Sequence, residues 1–276
     1  MPDNPTPDPV KRNVVLHNRI ANLYDDWHPE IFTEVEQTRL RAALEEAAAA
    51  TGKSPDRIAA MDLGCGSGNV TRHLVEMGFC VTATDVADNF LTLVEKRWGA
   101  TGRLRTVLLN GEDFHSIPEG SFDLITAYSV LHHLPDYLAT LADLVPLLRP
   151  GGVIYLDHEV TDAYWQNDPV YAEFTSKANR PEPAVKDRLR FLKPAKYLRK
   201  LRELYYKRAA EDLGDIHTWP EDHIEWERVE ARLRDEGLSV VFSRDYLLFR
   251  EYYLPEVYEA YRDRCSDVHV LAMRLG

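Results

Sequence analysis

Residues 60–68, Ala60-Met61-Asp62-Leu63-Gly64-Cys65-Gly66-Ser67-Gly68, constrain this chain more than any other stretch. An apolar strand ends beside an acid, a G-x-G-x-G turn follows, and a helical pattern begins at Asn69. Glycines are needed where a chain turns sharply and offers bare backbone to a ligand, because a Cβ would obstruct both. Seventeen residues past Gly68 a second apolar run, Cys80-Val81-Thr82-Ala83-Thr84, ends in Asp85. A carboxylate at the tip of a second strand can accept hydrogen bonds from both hydroxyls of a ribose. Loop and acid together point to a nucleoside-bearing ligand.

The spacing narrows the choice. Dinucleotide sites use G-x-G-x-x-G, which brings a helix N-terminus to a pyrophosphate. Here the third glycine comes one residue earlier, and Asp62 precedes the first. That carboxylate would repel a pyrophosphate but suits a ligand carrying an ammonium and a sulfonium. Three later segments follow in order. Leu108-Leu109-Asn110-Gly111-Glu112-Asp113-Phe114 reads as a third strand ending in a polar turn. Ser121 to Asp136, containing Phe122-Asp123-Leu124-Ile125 and Leu131-His132-His133-Leu134-Pro135-Asp136, reads as a fourth strand leading into a helix. Leu147 to Leu156 is a helix end, a Pro-Gly-Gly turn and a fifth strand.

With D-x-G-x-G-x-G, the acid ending the second strand, F-D-L-I, L-H-H-L-P-D and L-R-P-G-G all present, residues 57–160 resemble the class I S-adenosylmethionine-dependent methyltransferases that act on small molecules. The resemblance implies a Rossmann-like, doubly wound, mostly parallel seven-stranded sheet, with an antiparallel hairpin at its C-terminal edge and a helical lid insertion. It implies S-adenosylmethionine as cofactor, with S-adenosylhomocysteine as product. Gly64, Cys65, Gly66 and Gly68 would line the methionine and ribose, and Asp62 would orient the loop toward the cofactor's amino group. Asp85 would bind the ribose, and it is equally suited to cap the helix that Val86 leads into. Gly111, Glu112 and Asp113 occupy the turn where the family holds the adenine; the order Asn-Gly-Glu-Asp leaves open which acid faces its amino group. Tyr128 and Ser129 would border the methionine. Tyr24 sits on a helix resembling the family's N-terminal lid, where it either closes over the cofactor or packs among apolar neighbours.

Transfer of a methyl group needs a nucleophile held in line with the carbon and, for a hydroxyl or amine, a base for its proton. His132 and His133 follow the fourth strand, and in the resemblance such residues shape the pocket or serve as that base. His158 sits where the fifth strand should end and is an equal candidate. Asp157, His158, Glu159, His217 and His223 have no metal-ligand spacing, and no metal is expected. The acceptor expected is a small molecule, most simply methylated on oxygen. A cofactor binder without transferase activity, or an enzyme of other sulfonium chemistry, shares the same motifs.

Composition sets outer limits. At 276 residues one large α/β core is expected. A net charge of −12 argues against nucleic acid as the main partner. Cys65, Cys80 and Cys265 are odd in number and read as reduced thiols of a cytoplasmic protein. The opening residues, rich in Pro and Asp, do not read as a signal peptide, and no run of about 18 apolar residues suggests a membrane span.

The expected division is a disordered tail at 1–12, N-terminal helices at 13–56, the cofactor-binding core at 57–159, a helical lid at 160–218 and the rest of the sheet at 219–276. Expected elements there are a helix from Val35 to Ala50, a helix from Asp222 to Asp235, and strands at Leu238–Ser243 and Val268–Leu275. Within the lid, residues 177–208 carry twelve Lys or Arg against three Asp or Glu, a net of +9 that leaves −21 on the remainder. Such a segment can be a lid on an acidic body, a gate for an anionic acceptor, or a membrane-surface helix. The tryptophans and tyrosines between 219 and 261 are expected to pack lid against core or to line an aromatic pocket.

Overall fold

The computed structural model describes residues 9–21, 24–166, 168–179 and 216–276. Seven strands form one sheet: β1 (Ala59–Leu63), β2 (Cys80–Asp85), β3 (Leu104–Leu108), β4 (Phe122–Tyr128), β5 (Leu148–Val160), β6 (Leu238–Tyr246) and β7 (Val268–Leu275). Their order is 3-2-1-4-5-7-6, parallel from β3 through β5, with β7 antiparallel to both β5 and β6. This is the doubly wound sheet with an antiparallel edge that the motifs implied.

Alternation along the strands builds two cores. Met61, Ile125, Ile154, Leu271 and Met273 face one side, packed on α5 (Tyr137–Leu144) and α7 (Trp226–Asp235). Ala60, Leu124, Val153, Val270 and Ala272 face the other, against α2 (Glu34–Ala49) and α3 (Asn69–Glu76). Leu40, Leu44 and Ala47, at helical spacing on α2, are fully buried there. Each buried leucine contributes about 1.5–3 kcal/mol by leaving water. The Thr33 hydroxyl caps α2 by accepting from the Glu36 amide at 3.2 Å. α4 (Asp88–Trp98) covers β2 and β3.

Three expectations shift. The third strand is Leu104–Leu108, and the segment that begins at Leu108 is mostly the turn after it. Being an edge strand, β3 carries Arg105 and Thr106 in its middle and lacks the continuous apolar run of its neighbours. The helix expected from Asp222 starts at Trp226, because Asp222–His223 pairs with Thr218–Trp219 in a two-residue hairpin. The first helix, α1 (Pro9–Ile20), begins inside the segment expected to be a tail.

A third, smaller cluster joins α6 (Pro169–Ala178) to α8 (Pro255–Tyr261) through Phe174, Leu247, Tyr253, Tyr258 and Tyr261. The buried Asp267 carboxylate ties it down, accepting from the Leu248 amide at 2.8 Å and from Arg250 at 2.6 Å. Tyr253, Tyr258 and Tyr261 therefore pack around α6, whereas Trp219 and Tyr252 are exposed and Trp226 lies in the main core. The basic stretch lies almost wholly at 180–215, outside the described residues. Among the described residues no helix is long and apolar enough to cross a membrane.

Candidate active site

A cleft opens at the carboxyl edge of the sheet, where β1, β2 and β4 end. Its floor is the turn after β1. Gly66 adopts φ +50, and a Cβ there would meet nothing within 4 Å, so its bare backbone faces open space in the cleft. Gly68 is different: a Cβ would come within 2.3 Å of the Trp98 ring, so this glycine serves close packing of the loop on α4. Gly64, Cys65 and Gly66 line the cleft; Gly68 does not.

Two acids frame the turn. Asp62 is buried, with its oxygens accepting from the hydroxyls of Thr71 (2.6 Å) and Thr126 (3.1 Å). Burial pushes its carboxyl up to about 6, against the hydroxyl hydrogen bonds that lower it. Asp85 accepts from the Gly66 amide at 3.0 Å and from the Ala87 amide at 2.8 Å. It thus fixes the glycine turn and the entry to α4 together, and burial raises its carboxyl too. The helix cap expected of Asp85 is in fact the position of Ala87. Val86 lines the cleft beside it.

The turn after β3 forms one wall. Gly111 has φ +78, and the Asn110 side chain accepts from the amides of Glu112 and Asp113. The Asp113 carboxylate is engaged by its own loop, accepting from the His115 amide at 2.9 Å, which holds it below its ordinary value. Glu112 makes no such bond and lines the same wall. Tyr128 and Ser129 form the opposite wall, and Ser129 takes φ +58 as β4 ends. Above them, Tyr24 meets Phe90 edge-on at 5.4 Å.

The three histidines singled out in the sequence are not equivalent. His133 lines the cleft. His132 is not among the lining residues; its Nδ1 lies 2.8 Å from Glu159, a buried carboxylate that also accepts from the Leu131 amide at 2.8 Å. Glu159 therefore holds the turn that carries both histidines. His158 stands apart, stacked on Tyr128 with ring centroids 4.6 Å apart.

Two features were not visible in the sequence. His17, on α1, lines the cleft between Phe90 (5.7 Å) and His133 (5.3 Å), and burial pulls its imidazole down to about 4. Behind Tyr128 lies a buried charge cluster. Arg39 donates to Glu36 (2.8 Å through Nε) and to Asp157 (2.8 Å). Tyr128 donates to Glu36 at 3.0 Å, Tyr246 to Asp157 at 3.0 Å, and Tyr155 also to Asp157. Burial raises Glu36, while Arg39 opposes that shift. A Glu–Arg pair three apart on a helix ordinarily signals a solvated face, so nothing local marks this one as buried.

Known proteins share this plan. A family model described as a methyltransferase domain matches residues 61–154. Trans-aconitate 2-methyltransferase of Methylobacterium radiotolerans is 34% identical over 198 residues, spanning 70% of this chain and 71% of that enzyme. Ubiquinone biosynthesis O-methyltransferase of Vibrio parahaemolyticus is 26% identical over 153 residues, spanning 55% of this chain and 62% of that enzyme, less than two thirds. A solved S-adenosylmethionine-dependent methyltransferase from Clostridium acetobutylicum superposes with a TM-score of 0.56 at 14% identity, over 94% of this chain and 99% of that one, a likeness of fold.

Proposed function

The chain belongs to the class I S-adenosylmethionine-dependent methyltransferases, with S-adenosylmethionine as cofactor and S-adenosylhomocysteine as product, and on that premise we propose that it methylates an oxygen of a small molecule. The observation that carries this reading is the single cleft running from the Gly66 turn and Asp85 to the end of β4, where His133 borders it. The two curated relatives, one named for trans-aconitate and one for O-methylation in ubiquinone biosynthesis, support a small acceptor. When bound, the cofactor supplies an electrophilic methyl group on a sulfonium.

The residues present suit such a ligand. The open face of Gly66 is a cradle that a side chain would fill, and Asp62 and Asp85 offer negative charge to an amino group and to ribose hydroxyls. Glu112 would face the adenine amino group, because Asp113 is occupied by its own loop. Tyr24 and His17 would cover the nucleoside from α1 and the short helix after it.

Asp85→Ala should weaken S-adenosylhomocysteine binding by about 1.5–3 kcal/mol, the range for hydrogen bonds to a charged group. Unchanged affinity by calorimetry would remove Asp85 from the ribose site. Asp62 predicts a pH dependence. Its folded value, near 6, lies above the unfolded one, so its burial costs stability as pH rises through 6, and it is protonated below 6. A cationic ligand needs the carboxylate, so the dissociation constant should rise about tenfold per pH unit below 6 and stay flat above. Asp62→Asn should abolish the slope; an equal slope in both proteins would contradict the assignment.

The transfer itself is tested with methyl-labelled S-adenosylmethionine and the deproteinised small-molecule fraction of a bacterial extract. Label in a small-molecule product is expected. No label, with cofactor binding intact by calorimetry, would instead favour a binder without transferase activity.

A further inference from the structure

Helix α3 begins at the cleft with polar groups unspent. Ser67 and Asn69, on either side of Gly68, are 2% and 8% exposed, and both line the cleft. The Ser67 hydroxyl and the Asn69 side-chain nitrogen have no hydrogen-bond partner. An unpaired buried polar atom is costly, and two of them at the start of one helix mark a place kept for a ligand. The amides of Asn69 and Val70 belong to the first turn, where no intrahelical acceptor reaches them, and Val70 lines the cleft as well. The positive end of the helix adds its pull on an anion.

The orientation of Asn69 is dictated from outside the cleft. Arg72 carries only donors, and it donates to Gln37 Oε1, which His73 Nε2 also meets at 2.8 Å. Gln37 Nε2 must then point the other way. It donates to the Ile31 carbonyl at 2.5 Å and to Asn69 Oδ1 at 2.8 Å. With its oxygen so occupied, Asn69 has only N–H groups left to offer a ligand. The guanidinium of Arg72 thus sets, through Gln37, which end of Asn69 stays unpaired. Ser67 is held by its carbonyl, which accepts from Arg97 at 2.7 Å, and its hydroxyl remains able to donate.

What these donors hold follows from charge. Among the described residues no Lys or Arg lines the cleft, so an anion there depends on neutral donors and the helix N-terminus. Asp62 supplies a negative charge beside them, since it bonds the Thr71 hydroxyl in the first turn of the same helix. An ammonium and a carboxylate on one carbon match both halves of this arrangement. Resting on the cofactor reading above, we infer that Ser67 and Asn69 form a carboxylate seat that selects the intact amino-acid end of S-adenosylmethionine. Arg72 and Gln37 are its positioning residues. Asp62 by itself would accept any amine, so the seat is what separates the cofactor from its decarboxylated form, which carries the same sulfonium and the same methyl group.

A pair of ligands provides the test. S-adenosylhomocysteine and methylthioadenosine share the nucleoside and the thioether, and only the first has the amino-acid end. By calorimetry the wild type should bind the first at least about 10-fold more tightly. Asn69→Asp keeps the shape of the side chain and its bond to Gln37, and an acid at a helix start favours folding. It replaces the free N–H groups with an oxygen that repels a carboxylate. Its affinity for S-adenosylhomocysteine should fall at least about 30-fold, and that for methylthioadenosine should stay within about threefold. Ser67→Ala should show the same selective loss at about 10-fold. Arg72→Met, outside the cleft, should also weaken S-adenosylhomocysteine alone, by about 2- to 10-fold. Equal losses for both ligands would reduce these residues to packing of the loop, and unchanged affinity in Asn69→Asp would place the carboxylate elsewhere. Either result would overturn the inference. A wild type that binds neither nucleoside would instead remove the cofactor reading beneath it.

Discussion

Gly66→Val should leave the protein folded and raise the dissociation constant for S-adenosylhomocysteine by at least about 100-fold, roughly 2.7 kcal/mol. The two halves of this expectation have separate causes. A Cβ at Gly66 meets no protein atom within 4 Å, so the branched side chain enters the open cleft and not the core. The backbone there has φ +50, which costs a β-branched residue about 1–2 kcal/mol, a few degrees of melting temperature. Ligand atoms that would lie against the bare peptide are displaced altogether. Near wild-type affinity in a folded variant would place the nucleoside elsewhere. Unfolding would show instead that the loop has packing demands like those at Gly68.

Arg39→Met should have the larger effect on stability, a loss of about 3–5 kcal/mol at pH 7.5, or roughly 6–20 °C in melting temperature. Glu36 and Asp157 are almost wholly buried, and Arg39 is the cation that bridges them. Without it two carboxylates share a site that burial already makes hostile to charge. The sign of the pH dependence follows. The carboxyl of Glu36 is raised in the folded protein, so the stability it contributes is lost as pH rises through the folded value and returns on acidification. Without Arg39, which opposes this shift, the Glu36 carboxyl rises further in the variant, so the deficit of the variant should shrink on acidification. A deficit below about 1 kcal/mol, or one independent of pH, would mean that the two acids do not depend on Arg39. Because Asp157 also accepts from the His158 amide, this cluster holds the bulge in β5 as well.

Much of the fold was legible because its signals are local. β1, the glycine turn and β2 are a continuous apolar run, a break and another run, and Asp85 marks where the second ends. The antiparallel pairing of β6 with β7 was legible from two strand-forming stretches near the C-terminus, but the insertion of β7 between β5 and β6 was not. What could not be read depends on distant partners. β3 lies at an edge with Leu108 exposed at 54%, so no unbroken apolar stretch announces it. Asp222 and His223 look like the start of a helix until Thr218 and Trp219 pair with them. Glu36 and Arg39 look like a surface pair until Asp157, more than a hundred residues away, closes the cluster. His158 was expected where the fifth strand ends, but β5 continues through it to Val160, its pairing with β7 resuming after the bulge. Its left-handed backbone could not be read, because no glycine marks the bulge. His17 lies on a helix whose docking on α4, through Asn18 and Asn89, has no local signature.

The structure of the complex with S-adenosylhomocysteine tests the account most directly. The ribose hydroxyls should lie within hydrogen-bond distance of Asp85, the adenine against residues 110–114 beside Glu112, and the amino group toward Asp62 over the open face of Gly66. A nucleoside bound outside this cleft, or one with Asp85 still bonded only to Gly66 and Ala87, would contradict it.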